Sequence, residues 1–144
     1  MKRLLLLALA TLTAGRLPQD ATAVRFAAVD VFVDSGSEPL AAWQVDLRAI
    51  AGDVRIAGIE GGDAPAFAEA PFYDPRAMQH EHVILAAFST RPGAELPAGR
   101  TRVARVHVQV TGAIAPHYEL RLTTAAGADG RELTAHATWA AARR

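Results

Sequence analysis

The chain has 144 residues, 15 basic against 15 acidic side chains, and no cysteine. Without thiols there are no disulfide staples, thiolate metal sites or cysteine nucleophiles, and the balanced charge is a poor electrostatic footprint for nucleic acid. Stability must come from an apolar core, and this length suits one domain.

Met1-Lys2-Arg3 precedes an apolar run from Leu4 to Leu12. A short basic region followed by a compact apolar core is the grammar of a secretory signal peptide, and the run falls well short of the about 20 residues that a membrane-crossing helix needs. Small residues suited to a peptidase occur at Thr13-Ala14 and at Ala21-Thr22-Ala23, and the second matches the expected Ala-x-Ala pattern. The sequence therefore predicts a signal peptide over 1–23, a domain over 24–144, and a periplasmic or extracellular location. Lys2, Arg3, Arg16 and Asp20 leave with such a leader, so the remainder carries a slight acidic excess.

From Val29 onward the apolar period is two, which marks strands. Val29, Val31 and Val33 alternate with polar or outward positions up to Ser35-Gly36-Ser37, and Trp43, Val45, Leu47 and Ala49 alternate with Gln44, Asp46 and Arg48. Ala51-Gly52-Asp53 is a tight turn into a third strand, Val54 to Glu60. The segment from Asp63 to Gln79 loses the alternation and holds Phe67, Phe72 and Tyr73 among its prolines. Rings worth about 1.5–3 kcal/mol each on burial do not float free, so the segment is expected to pack as a lid over one end of the core.

The near-continuous apolar run Val83 to Phe88 predicts a central strand. After the Pro/Gly loop from Arg91 to Gly99, Ala104, Val106, Val108 and Val110 point inward against Arg105, His107 and Gln109. Tyr118, Leu120 and Leu122 repeat the pattern, and Gly127-Ala128-Asp129-Gly130 joins them to Leu133–Trp139 as an expected hairpin. Short strands between Gly, Pro and Asp turns predict an all-β fold, two antiparallel sheets packed as a jelly-roll-like sandwich, with a small barrel as the competing architecture.

Chemistry-bearing residues are sparse. His80 and His82 would lie about 7 Å apart on one strand face, a chelating spacing only if another strand supplied a third ligand, so the pair reads as polar residues at a strand mouth. Asp30, Asp34, Asp63 and Asp74 lack the regular spacing of a calcium loop, and no carboxylate pair is selected for glycoside hydrolysis. Ser35, Ser37 and Ser89 lie in no nucleophile motif, and Gly58, Gly61 and Gly62 form no dinucleotide fingerprint. No enzyme activity, metal or cofactor is expected. Trp43 and Trp139 fall on inward faces, whereas His107, Gln109, Arg121 and His136 fall outward and are the candidate partner-binding residues.

Val31–Gly36, Leu40–Leu47 and Val54–Gly62, with Ile84–Ser89 and Arg102–Val108 after them, resemble the strands of cohesin-like domains, in which a segment ending in a V.GVE.G pattern follows a strand with an aromatic near its start. The resemblance spans roughly residues 29 to 139. It implies a nine-stranded, jelly-roll-like sandwich, exported and noncatalytic, that in some members binds a calcium-dependent dockerin partner through one sheet face, with His107 and Gln109 on that face. The alternative is a carbohydrate-binding module using exposed aromatic residues such as Phe72 and Tyr73.

Overall fold

The computed structural model describes residues 22–143, so all but the last two residues of the expected signal peptide lie outside the described residues. Among the described residues seven strands are formed: β1 (Val24–Asp34), β2 (Ala42–Ala51), β3 (Asp53–Gly61), β4 (His82–Phe88), β5 (Arg100–Thr111), β6 (His117–Ala126) and β7 (His136–Ala141). They make a four-stranded sheet in the order β3-β5-β1-β7 and a three-stranded sheet in the order β4-β2-β6, with every pairing antiparallel. The all-β two-sheet sandwich expected from the alternation is the fold observed.

Consecutive strands never pair with each other. Odd-numbered strands lie in the larger sheet and even-numbered strands in the smaller, so each connection crosses from one layer to the other. The expected hairpin between the last two strands is accordingly not formed. Its turn does close, with Gly127 N–H donating to Arg131 at 2.9 Å and Leu133 N–H to Ala125 at 2.8 Å. Pairing stops at the single bridge between Ala126 and Glu132, and the chain leaves to lay Ala137 and Trp139 beside Val33 and Val31 of β1. Burial of those side chains in the second layer outweighs a few more local hydrogen bonds, each worth about 1 kcal/mol net. Between β2 and β3 the crossing takes one residue. Gly52 turns there with φ 83°, and a Cβ would sit 3.3 Å from the Ile114 carbonyl and from Pro116 Cα.

The inner faces meet in one cluster. Val29, Val31, Val33, Ile56, Val106 and Val108 of the larger sheet face Trp43, Val45, Leu47, Val83 and Leu85 of the smaller, all buried. Each fully buried side chain contributes about 1.5–3 kcal/mol. β1 begins at Val24, earlier than the alternation suggests, because Val24 to Ala28 pair with Thr111 to His107 while presenting an exposed Phe26. A bulge in β5 opposite Val31 and Phe32 buries both Val103 and Ala104, so Arg102 and Arg105 emerge on the same outer face.

β4 is an edge strand, not the central one its apolar run predicts. Val83 and Leu85 are buried, but Ile84 and Phe88 face outward and exposed. The aromatic segment closes the side of the sandwich between β3 and β4 through two short 3-10 turns, Pro65–Phe67 and Pro75–Ala77. Phe67 is buried edge-on to Trp43, ring centroids 6.2 Å apart, and Gly62 N–H donates to its carbonyl at 2.7 Å. Beyond the second turn, Gln79 and His80 exchange backbone hydrogen bonds of 2.9 and 2.8 Å with Ile56, covering the free edge of β3. On the other side Trp139 is half-buried, and its indole N–H reaches the Tyr118 carbonyl at 2.9 Å, tying β7 to β6 across the layers.

Candidate functional site: two outer sheet faces

Four residues were expected outward, and all four are, yet on different layers. His107 and Gln109 of β5 and His136 of β7 lie on the larger sheet, and Arg121 of β6 lies on the smaller. His107 faces Ala28 and His136 faces Asp34, six residues apart along β1, or about 20 Å at strand rise. The larger sheet's outer face does not gather these side chains into one site.

What that face does gather is a self-satisfied charge cluster. Arg105 holds Asp30 with two hydrogen bonds, Nε to Oδ1 at 2.7 Å and Nη2 to Oδ2 at 3.1 Å. Arg102 lies 3.7 Å from the same carboxylate and donates to both oxygens of Asp63 at the mouth of the aromatic segment. Arg100 covers the Phe32 ring at 3.5 Å. His107 Nε2 is 3.3 Å from Glu60 Oε1, though without the alignment of a hydrogen bond. The charges here are engaged with each other, which fixes the geometry of the sheet and leaves little for a partner.

Arg102 holds the Asp63 carboxyl below its ordinary value, chiefly through the hydrogen bond. A carboxyl lowered in the folded state stabilises the fold above its unfolded value and ceases to do so as pH falls through the lowered one. Asp63 is largely exposed, so solvent screens the pair and the effect is modest. The Asp63→Asn variant is expected to lose less stability than the parent as pH falls from about 5 to 2. Urea midpoints across that range check this, and parallel curves would refute it.

The smaller sheet presents a different face. Asp46 and Arg48 of β2 stand between His82 and Ile84 of β4 on one side and Glu119 and Arg121 of β6 on the other. Arg48 Nη2 donates to His82 Nδ1 at 3.2 Å, so the ring proton sits on Nε2, 2.7 Å from Asp46 Oδ1. Arg121 is 3.7 Å from Glu119, and Arg48 3.8 Å from Glu81, which are loose surface pairs. His82 is thus committed to neighbours rather than to a metal, His80 lies exposed in the preceding loop, and no three metal-ligating side chains converge among the described residues.

The apolar part of this face is its edge. Ile84 is 47% exposed and Phe88 64%, and Phe72 of the aromatic segment, 68% exposed, stacks on Phe88 at a centroid distance of 6.1 Å. Phe72 is held there by a one-residue bridge to Ala86, with backbone hydrogen bonds of 2.8 and 3.0 Å. Tyr73, by contrast, packs partly into the core, and Trp43 is only 1% exposed. Sequence reasoning placed Phe72 among candidate exposed rings but missed Ile84 and Phe88. The signal available for them was the polar start of the strand at His80-Glu81-His82, whose outward face they continue.

Tyr118, buried at the base of β6, has its phenol pushed up by burial, and its hydroxyl finds no hydrogen-bond partner among the described residues. It is a core group, edge-on to Trp139 at 5.1 Å.

No protein-family model, no curated protein and no solved structure matches the chain.

Proposed function

We propose that this chain is a divergent cohesin-like domain, exported and noncatalytic, that binds a protein partner through the outer face of the three-stranded sheet. One observation carries the choice of face: Ile84 stands exposed beside charges of both signs, at the edge where Phe88 and Phe72 are exposed too. Apolar side chains that could have turned inward, and instead sit in water among charges, are the composition of a recognition surface. The opposite face, which the resemblance favoured through His107 and Gln109, has its charges locked in Asp30-Arg105 and Asp63-Arg102 pairs.

Export is supported by the basic-then-apolar start of the chain, and the cohesin-like assignment by the motifs from Val31 to Val108. The resemblance implies nine strands, and seven are formed among the described residues, with single-residue bridges at Phe72 and Glu132 beside them. The face itself is small. Three strands over the seven residues of β4 cover roughly 300 Å2, against the about 800 Å2 per partner of a standard interface. A partner therefore also engages the flanking loops, or binds transiently.

The test is affinity capture with cross-linking from the extracytoplasmic fraction, with and without calcium. Baits are the parent chain, Ile84→Asp combined with Arg121→Glu, and His107→Ala combined with Gln109→Ala. The expected result is one saturable protein partner, lost about tenfold or more with the first variant and retained with the second, since a buried central contact is worth 1–2 kcal/mol or more. Loss with the second variant instead, or no partner with any bait, overturns the proposal.

A further inference from the structure

Beside the stacked rings runs a groove of about 340 Å3 between the aromatic segment and the end of β4, bordered by Glu69, Phe72, Phe88, Ser89, Thr90 and Arg91. Its size is at the lower end of small-ligand sites. Two features set it apart from the sheet face. The Phe72 and Phe88 ring planes differ by only 12°, and although the rings stack on each other both remain mostly exposed, so the pair keeps apolar ring surface toward solvent. The polar groups around them are largely unspent: the Glu69 carboxylate and the Thr90 hydroxyl have no hydrogen-bond or ion-pair partner within the described residues. Ser89 Oγ accepts from Arg91 N–H at 3.3 Å and keeps its own proton to donate.

The chemistry of these groups selects a ligand. Arg91 is occupied by Glu95 at 3.1 Å, so the groove's uncompensated charge is the Glu69 carboxylate, which repels an anion and accepts from hydroxyls. Parallel rings favour a molecule with a flat C–H face. A molecule with one apolar face and a rim of hydroxyls is a neutral pyranose. We infer that this groove is a binding site for neutral glycans, with Phe72 and Phe88 as the stacking platform and Glu69, Ser89 and Thr90 as hydroxyl partners. The site adjoins the Ile84–Arg121 surface along the edge that carries Phe72 and Phe88, but it uses neither Ile84 nor Arg121.

Phe72 is placed for this by backbone alone. Pro71 before it is buried, its own N–H and carbonyl are spent on Ala86, and its side chain contributes nothing to the core. Trimming the ring therefore tests binding without testing folding.

The experiment is calorimetric titration of the whole chain with cellohexaose, xylohexaose and mannohexaose, with hexagalacturonate as the anionic control and an apolar hexapeptide as the competing class. At least one neutral hexasaccharide is expected to bind with a Kd of about 1 mM or tighter. Phe72→Ala, Phe72→Leu and Glu69→Gln should each weaken it about tenfold, the loss of one stacking or charge-assisted contact. The tryptophan bands of the near-ultraviolet dichroism should stay unchanged, because Trp43 packs on Phe67 whereas Phe72 stacks on Phe88. Arg121→Glu should leave glycan binding intact, so failure here and failure of the partner surface are told apart. No binding of the three neutral sugars at about 10 mM, unchanged affinity in both Phe72 variants, or binding of the peptide alone overturns the inference.

Discussion

Replacing Gly62 by alanine is expected to cost about 3 kcal/mol or more, among the largest effects of any single added methyl in the molecule. A Cβ at that position would stand 2.0 Å from the Arg102 carbonyl oxygen and 2.8 Å from Val103 Cα, both backbone atoms of β5. No rotamer relieves such an overlap, so either β5 or the aromatic segment must move. Movement of the segment strains the Gly62 N–H bond to Phe67 and the Asp63 N–H bond to Arg102 at 3.0 Å, two of the contacts that seat the start of the loop. Phe67 would then leave Trp43, and apolar area on both rings would open to water. Urea denaturation of the Gly62→Ala chain, with limited proteolysis mapped over residues 63–79, checks this. A midpoint within about 0.5 kcal/mol of the parent would show that the chain relaxes around the methyl, and the close approach would lose its structural weight.

Trp43→Ala is expected to be at least as damaging, about 3–5 kcal/mol, because the largest fully buried side chain leaves a cavity that its neighbours fill only in part. Against a domain stability of about 5–15 kcal/mol, that loss takes the chain to the margin of folding. Trp43→Phe separates the causes. The indole N–H is buried without a hydrogen-bond partner among the described residues, so phenylalanine removes an unsatisfied donor while keeping much of the ring. Its cost should stay below about 1.5 kcal/mol. Equal losses for the two variants, measured by thermal and chemical denaturation, would mean that packing volume at this site is not what matters.

Inward and outward positions were readable from the amino acids wherever one layer of a strand meets the core and the other meets water. Trp43-Val45-Leu47 and Val106-Val108-Val110 are placed correctly by period two alone. What period two lacks is any reference to which layer a strand joins, so His107 and Arg121 look equivalent in sequence and lie on opposite faces. The bulge that brings Arg102 and Arg105 together is silent too, since one skipped residue in β5 leaves no compositional mark. β4 misleads for a physical reason. An unbroken apolar run normally means burial on both sides, but here Ile84 and Phe88 are apolar and wet, and the rule fails at the surface to which the binding proposals attach. The turn at Gly127 to Gly130 misleads likewise, because glycines specify a reversal of direction and not the strand that receives the chain.

The strict alternation of strands between layers bears on how the protein comes into being. With no two successive strands hydrogen-bonded to each other, no hairpin is available to start the process, and each pairing must close a long loop before it gains anything. Formation on the slow, millisecond-to-second side of small proteins is expected for such a topology. β5, flanked by β3 and β1, enters only after two-thirds of the polypeptide has been synthesised, so a growing chain has no finished layer to hide in until its last third emerges. For a protein proposed to cross a membrane as an extended thread, that delay would be useful: the arrangement that makes the native state slow to reach would also lengthen the time in which a precursor stays threadable.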